Sequence, residues 1–194
     1  MPIPFRNAAQ IEAGGNAAFI RISPSSNSQE RVGAILQVNA LGEPIEFVFN
    51  KMQVPSSALW RGDDLRRYVT RTLLASLFQA SQRAPLVLCC LAREIDAQTF
   101  SEDMQVQIAV CRVGQMGDVT GVVEAETREE MNSSDAQLFW LGQRPGPEAP
   151  QRKLIEALSR RGLLLEPFER TLRGLTEALG DGVGGSSHAD PVSG

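Results

Sequence analysis

The stretch Pro85 to Ala97, PLVLCCLAREIDA, constrains the fold more than any other part of the chain. Leu86 to Leu91 run apolar without a break, and Arg93, Glu94 and Asp96 follow at once. A strand with one wet face would alternate polar and apolar residues, so this run is predicted as a central strand covered on both faces. The acids behind it then admit two readings. They are either carboxylates delivered to a site or the mark of a strand returning to solvent, with Arg93 beside them to neutralise one locally. The second reading is the expectation.

The flanking segments supply the layers that such a strand needs. Ala17 to Ser23, AAFIRIS, is short, apolar and β-branched, and is predicted as a strand. The segment VGAILQVNALGEPIEFVFNKMQV has two strand-like runs either side of a turn bearing Gly42 and Pro44, which predicts a β-hairpin. A helix is then expected over DLRRYVTRTLLASLFQASQR, capped by Asp63 or Asp64. Its apolar stripe is Leu65, Val69, Leu73 and Leu77, widened by Leu74 and Phe78.

After the central strand, MQVQIAVCRVG alternates in period two and is predicted as a strand returning through DVTGVVEAE as a second hairpin. TREEMNSSDA is expected to be a loop or short helix, and QLFWLG one more strand. Two helices close the pattern, Glu148 to Arg161 and Pro167 to Gly180, the last with a stripe of Phe168, Leu172, Leu175 and Leu179. The expected fold class is therefore α/β or α+β: one domain over 1–179 with a mixed β-sheet, a long helix after a β-hairpin and two C-terminal helices. The glycine- and serine-rich 180–194 is expected to be a disordered tail.

Composition removes several functions. At 194 residues, 42% hydrophobic, the chain can bury a core, and its net charge of −4 argues against binding nucleic acid through overall charge. Neither a bilayer-length apolar run nor a signal pattern is present, and Cys89, Cys90 and Cys111 lie in strand-like segments, so a reducing cytoplasm is expected. The single histidine, His188, sits in the expected tail, which leaves no Ser-His or Cys-His pair and no histidine-ligated metal site. No glycine-rich nucleotide loop is recognisable.

Two constellations remain. The order of hairpin, helix and central strand resembles that of metal-dependent nucleases of the ribonuclease H type, in which acids on a first hairpin strand and after a later central strand bring two divalent ions together. On that resemblance Glu46, Glu94 and Asp96 would be the carboxylates, with Mg²⁺ or Mn²⁺ as cofactor. The sequence departs from the pattern where Gln37 and Asn39 stand on the hairpin strand, because an amide is a poor ligand for a hard cation. The second constellation is basic: Trp60, Arg61, Arg66, Arg67 and Arg71 around the first long helix, and Arg144, Arg152, Lys153, Arg160 and Arg161 near Trp140.

The leading expectation is a cytoplasmic, non-enzymatic accessory domain that binds another protein, an acidic surface above all, through arginine-bearing helix faces, with no cofactor and no membrane contact. Its alternative is the carboxylate-dependent nuclease or an inactivated relative. The third reading is a nucleic-acid-binding domain.

Overall fold

The computed structural model describes residues 14–25, 29–115, 126–131 and 136–180. In chain order its strands are β1 (Asn16–Pro24), β2 (Glu30–Asn39), β3 (Pro44–Gln53), β4 (Val87–Leu91), β5 (Ala109–Gln115), β6 (Glu126–Glu130) and β7 (Ala136–Leu141). The helices are α1 (Gly62–Ala80), α2 (Pro150–Arg160) and α3 (Glu166–Leu179). All seven strands form one mixed sheet in the order β3-β2-β1-β4-β5-β7-β6. The β1/β2 and β2/β3 pairs are antiparallel, β4 lies parallel to both β1 and β5, and β7 is antiparallel to β5 and β6. This is the mixed sheet, hairpin, long helix and C-terminal helix pair that the sequence leads one to expect.

Strand β4 is central and buried at every position, with Cys89 and Cys90 at 0% and 1% exposure. Alternate residues of a strand face opposite ways, so its run feeds two cores. Val87, Cys89 and Leu91 join Phe19, Cys111 and Trp140 under Leu154, Leu158 and Phe168 of α2 and α3. Leu88 and Cys90 join Ile20, Ile35 and Val110 under Leu73, Leu74 and Leu77 of α1. The stripe of α1 thus packs as its spacing demands, with Leu65 and Phe78 partly buried at its ends.

The β2–β3 turn closes through Asn39, whose side-chain oxygen accepts from the amides of Leu41 at 2.9 Å and Glu43 at 3.0 Å. Gly42 there has φ +81, a conformation that side chains with a Cβ rarely take.

Four local expectations are corrected. The N-cap of α1 is Arg61; Asp63 and Asp64 lie inside the first turn, where they meet the helix dipole without capping it. The period-two pattern from Gln105 does not begin a strand, because Gln105 takes a left-handed conformation after a π-helical turn at Thr99–Met104, and β5 starts only at Ala109. TREE, expected as loop or short helix, belongs to β6, an edge strand paired with β7. The returning arm of the second hairpin over 118–125 and the tail from 181 onward lie outside the described residues. Among the described residues no helix is long and apolar enough to cross a membrane.

Candidate functional site

Three neighbouring parallel strands, β1, β4 and β5, end on the same side of the sheet. Beyond β1 the neighbour β2 runs the other way, so the chain leaving β1 and the chain leaving β4 diverge and open a cleft. Such a crevice at the carboxyl ends of strands is where open α/β sheets take ligands. Here it is a cleft of about 280 Å³, closed on its far side by the first turns of α1 and lined by Ser23, Arg31, Leu65, Arg66, Thr70 and Glu94.

Glu94 is the carboxylate of that cleft, and it is not a surface acid. Its side chain is 14% exposed and that of Arg21, on β1, 11%. The two form a bidentate pair: Arg21 Nη2 to Glu94 Oε1 at 2.8 Å and Nε to Oε2 at 3.0 Å. The Ile22 amide donates to Oε2 at 3.3 Å, and Arg21 Nη1 donates to the Phe168 carbonyl of α3 at 3.3 Å. Burial pushes the Glu94 carboxyl above its usual range, against the opposing pull of Arg21 and of the Ile22 amide. The expected local partner, Arg93, is an exposed residue that plays a smaller part.

The other two carboxylates are engaged by other partners. Asp96 is 59% exposed and lies 3.4 Å from Arg66 Nη2 on α1. Glu46 is tied at the opposite end of the sheet, accepting from Ser81 Oγ at 2.6 Å, Gln37 Nε2 at 2.7 Å and the Gln82 amide at 2.8 Å. Its partner Gln37 pairs with Ala18, four residues before Ile22 on β1, which puts it roughly 13 Å back along the strand direction from Glu94. Gln37 and Asn39 are on β2, which does not touch β4, whereas β1 lies parallel beside β4 and carries Arg21 at the end facing Glu94.

A divalent ion held by two or more ionised carboxylates is what the ribonuclease H resemblance implies. These residues do not fit one. Among the described residues no three metal-ligating groups come together, and both Glu94 oxygens are already engaged by a guanidinium.

The basic residues are largely engaged at home. Arg66 reaches Asp63 as well as Asp96, and Arg67 binds Asp103 at 2.8 Å and Glu102 at 3.2 Å. Arg71 lies over the Tyr68 ring, whose other contact is Trp60 at 5.0 Å between centroids; Trp60 is 39% exposed and Arg61 is exposed. In the second group Arg152 and Trp140 Nε1 share Glu129, Arg144 lies 3.7 Å from the same carboxylate, and Trp140 is fully buried. Arg160 and Arg161 are exposed. Sequence reasoning missed Arg21. The signal was present: a lone arginine between Ile20 and Ile22 in a core strand demands a buried partner.

No family model and no curated protein sequence matches the chain. The fold is similar to that of an endonuclease V crystal structure from Streptomyces avermitilis, with a TM-score of 0.53 at 12% identity over 85% of this chain and 83% of that one. An endonuclease V from Bacillus subtilis matches at a TM-score of 0.48 and 9% identity, over 84% and 82%. At such identity the likeness is one of fold. It overturns the expectation of a non-enzymatic, partner-binding accessory domain and puts the nuclease-like alternative ahead of it. The ion pairs of Arg67 with Asp103 and Glu102 are the physical counterpart, since a helix-face arginine engaged by its own chain's acids has less charge to offer an acidic partner.

Proposed function

We propose that this protein acts on nucleic acid as a nuclease-like enzyme, with Glu94 as its working carboxylate. The observation that carries the reading is the cleft at the carboxyl ends of β1 and β4, which holds one largely buried carboxylate beneath a rim bearing Arg31 and Arg66. Its fold is similar to that of an endonuclease. In this reading the strand lies across the mouth of the cleft with one phosphate turned inward. Arg31 and Arg66 supply the cationic contacts that neutralise it.

A carboxyl raised by burial accepts a proton more readily than a solvated one. In that role Glu94 removes a proton from a water that attacks phosphorus, while the bond from phosphorus to the leaving oxygen breaks. Arg21 holds Glu94 in orientation. Because the residues present do not fit a divalent-ion centre, no step is assigned to a metal.

A second reading, binding without cleavage, is favoured by the engagement of both Glu94 oxygens. Labelled single- and double-stranded RNA and DNA separate the two. Cleavage by wild type that Glu94→Gln abolishes supports the enzyme, and binding with no cleavage supports the second reading. With two phosphate contacts, the slope of log affinity against log salt on a single strand should be roughly −1.4, falling by about half in Arg66→Ala. Absence of binding to every substrate at low salt would refute both.

A further inference from the structure

We infer that Arg21 is the built-in cation of this centre, so that the Glu94 cleft engages its nucleic-acid strand without a divalent ion. For its nucleic-acid half this rests on the function proposed above; the half that concerns metal does not.

The guanidinium is fixed on three sides, by Glu94 Oε1 at 2.8 Å, Glu94 Oε2 at 3.0 Å and the Phe168 carbonyl at 3.3 Å. A planar fork bound in this way to a carboxylate is rigid. A hard divalent ion would have to displace that fork to reach the Glu94 oxygens, and would then sit beside an unscreened like charge. Among the described residues no cluster of acids is at hand to help: Asp96 faces Arg66, and Glu46 is bonded to Ser81, Gln37 and the Gln82 amide. Arg21 therefore does structurally what an ion does elsewhere: it fixes the carboxylate and balances its charge. It acts through Glu94 and is a positioning residue.

The metal half is tested on the whole protein without nucleic acid, by following Tm in EDTA, MgCl₂ and MnCl₂ at matched ionic strength. A ligand that binds only the folded state raises Tm by mass action. The expected result is no saturable rise for wild type. A saturable rise in Mn²⁺ that Glu94→Gln abolishes would overturn the inference. Arg21→Asp places a second carboxylate against Glu94 and is expected to gain a Mn²⁺-dependent rise. If it folds and gains none, the guanidinium is not what keeps the ion out; if it does not fold, the wild-type titration decides alone.

The strand half uses fluorescence anisotropy with a labelled single-stranded RNA and its DNA counterpart, in EDTA and in MnCl₂. Dissociation constants agreeing within about twofold are expected, and a loss of about tenfold or more in EDTA would overturn the inference. No binding in either buffer would remove the proposed function and leave the thermal result standing. Arg21→Lys keeps the charge and should restore strand binding and the Glu94 titration seen by NMR, whereas Arg21→Gln should shift that titration upward. A titration unchanged in Arg21→Gln would remove Arg21 from its positioning role.

Discussion

Replacing Arg21 by Met should destabilise the protein by about 3–4 kcal/mol at pH 7, a size that follows from the surroundings of the pair. Surface ion pairs contribute roughly 0–1 kcal/mol, but with side chains 11% and 14% exposed this one is poorly screened. Removing the guanidinium leaves a buried carboxylate with the Ile22 amide and the weaker pull of Arg93. That penalty has a ceiling, because Glu94 can escape by taking a proton. From a reference value of 4.5, protonation at pH 7 costs roughly 3.4 kcal/mol, and the carboxylate cannot be worse off than that. The lost bond to the Phe168 carbonyl adds about 1 kcal/mol.

The ceiling drops to roughly 0.7 kcal/mol at pH 5, so the deficit of Arg21→Met should shrink by more than half there. The sign follows from linkage. A carboxyl whose folded pKa lies above its unfolded value binds more protons in the native state. Its contribution is fully present below the unfolded pKa and is lost as pH rises through the folded one. Urea unfolding at both pH values measures the effect directly, and at this chain length Tm should fall by roughly 6–16 °C at pH 7. A deficit below about 1 kcal/mol, or one equal at the two pH values, would show a solvent-screened pair and refute the account.

Three further outcomes bear on the core. Leu88→Ala should cost about 2–5 kcal/mol in urea unfolding, toward the lower end because Leu88 already lines a cavity of about 380 Å³ beside Phe78 and Ile108. Cys89, whose thiol burial pushes up to about 12, and Cys90 and Cys111, raised for the same reason, should resist a thiol reagent in the native protein; labelling at the rate of a free peptide would remove β4 from the core. Gly33→Ala should cost more than Gly174→Ala in thermal unfolding. An added Cβ at Gly33 meets buried Leu73 and Leu77 at 3.0–3.1 Å, whereas at Gly174 it meets the ring of Phe47, which is 36% exposed and free to swing.

What could be read from the sequence was set by local pattern, and what could not was set by distant pairing. The unbroken run of β4, the leucine stripe of α1 and the Gly42 turn each carry their structure within a few residues. The site does not. Arg21 and Glu94 are 73 positions apart, and only the parallel register of β1 against β4 brings them together. Glu46 attracted notice as an acid on a hairpin arm, but the register that pairs it with Gln37 carries it to the wrong end of the sheet. In β6 the strand was hidden by its own composition. Glu126, Thr127, Arg128, Glu129 and Glu130 form an edge strand in which Glu129 turns inward to Trp140 and Arg152, a contact invisible without β7 beside it.

The Arg21–Glu94 pair also separates folding from function. Breaking a buried ion pair is costly, yet replacing both members with apolar residues of similar size is often neutral or stabilising, because neither charge is then left without water. Stability alone therefore gives this position no reason to hold a carboxylate and a guanidinium where Ile22, Leu65 and Val69 line the same cleft. A charged pair at the carboxyl ends of β1 and β4, opening on a cleft with Arg31 and Arg66 at its rim, is accounted for by what the cleft holds. The double variant Arg21→Met with Glu94→Leu should then recover most of the stability lost in Arg21→Met, to within about 1–2 kcal/mol of wild type, while showing no cleavage and weakened strand binding. A double variant as unstable as the single one would mean the pair is structural. One that folds and engages nucleic acid like wild type would move the function to another part of the molecule.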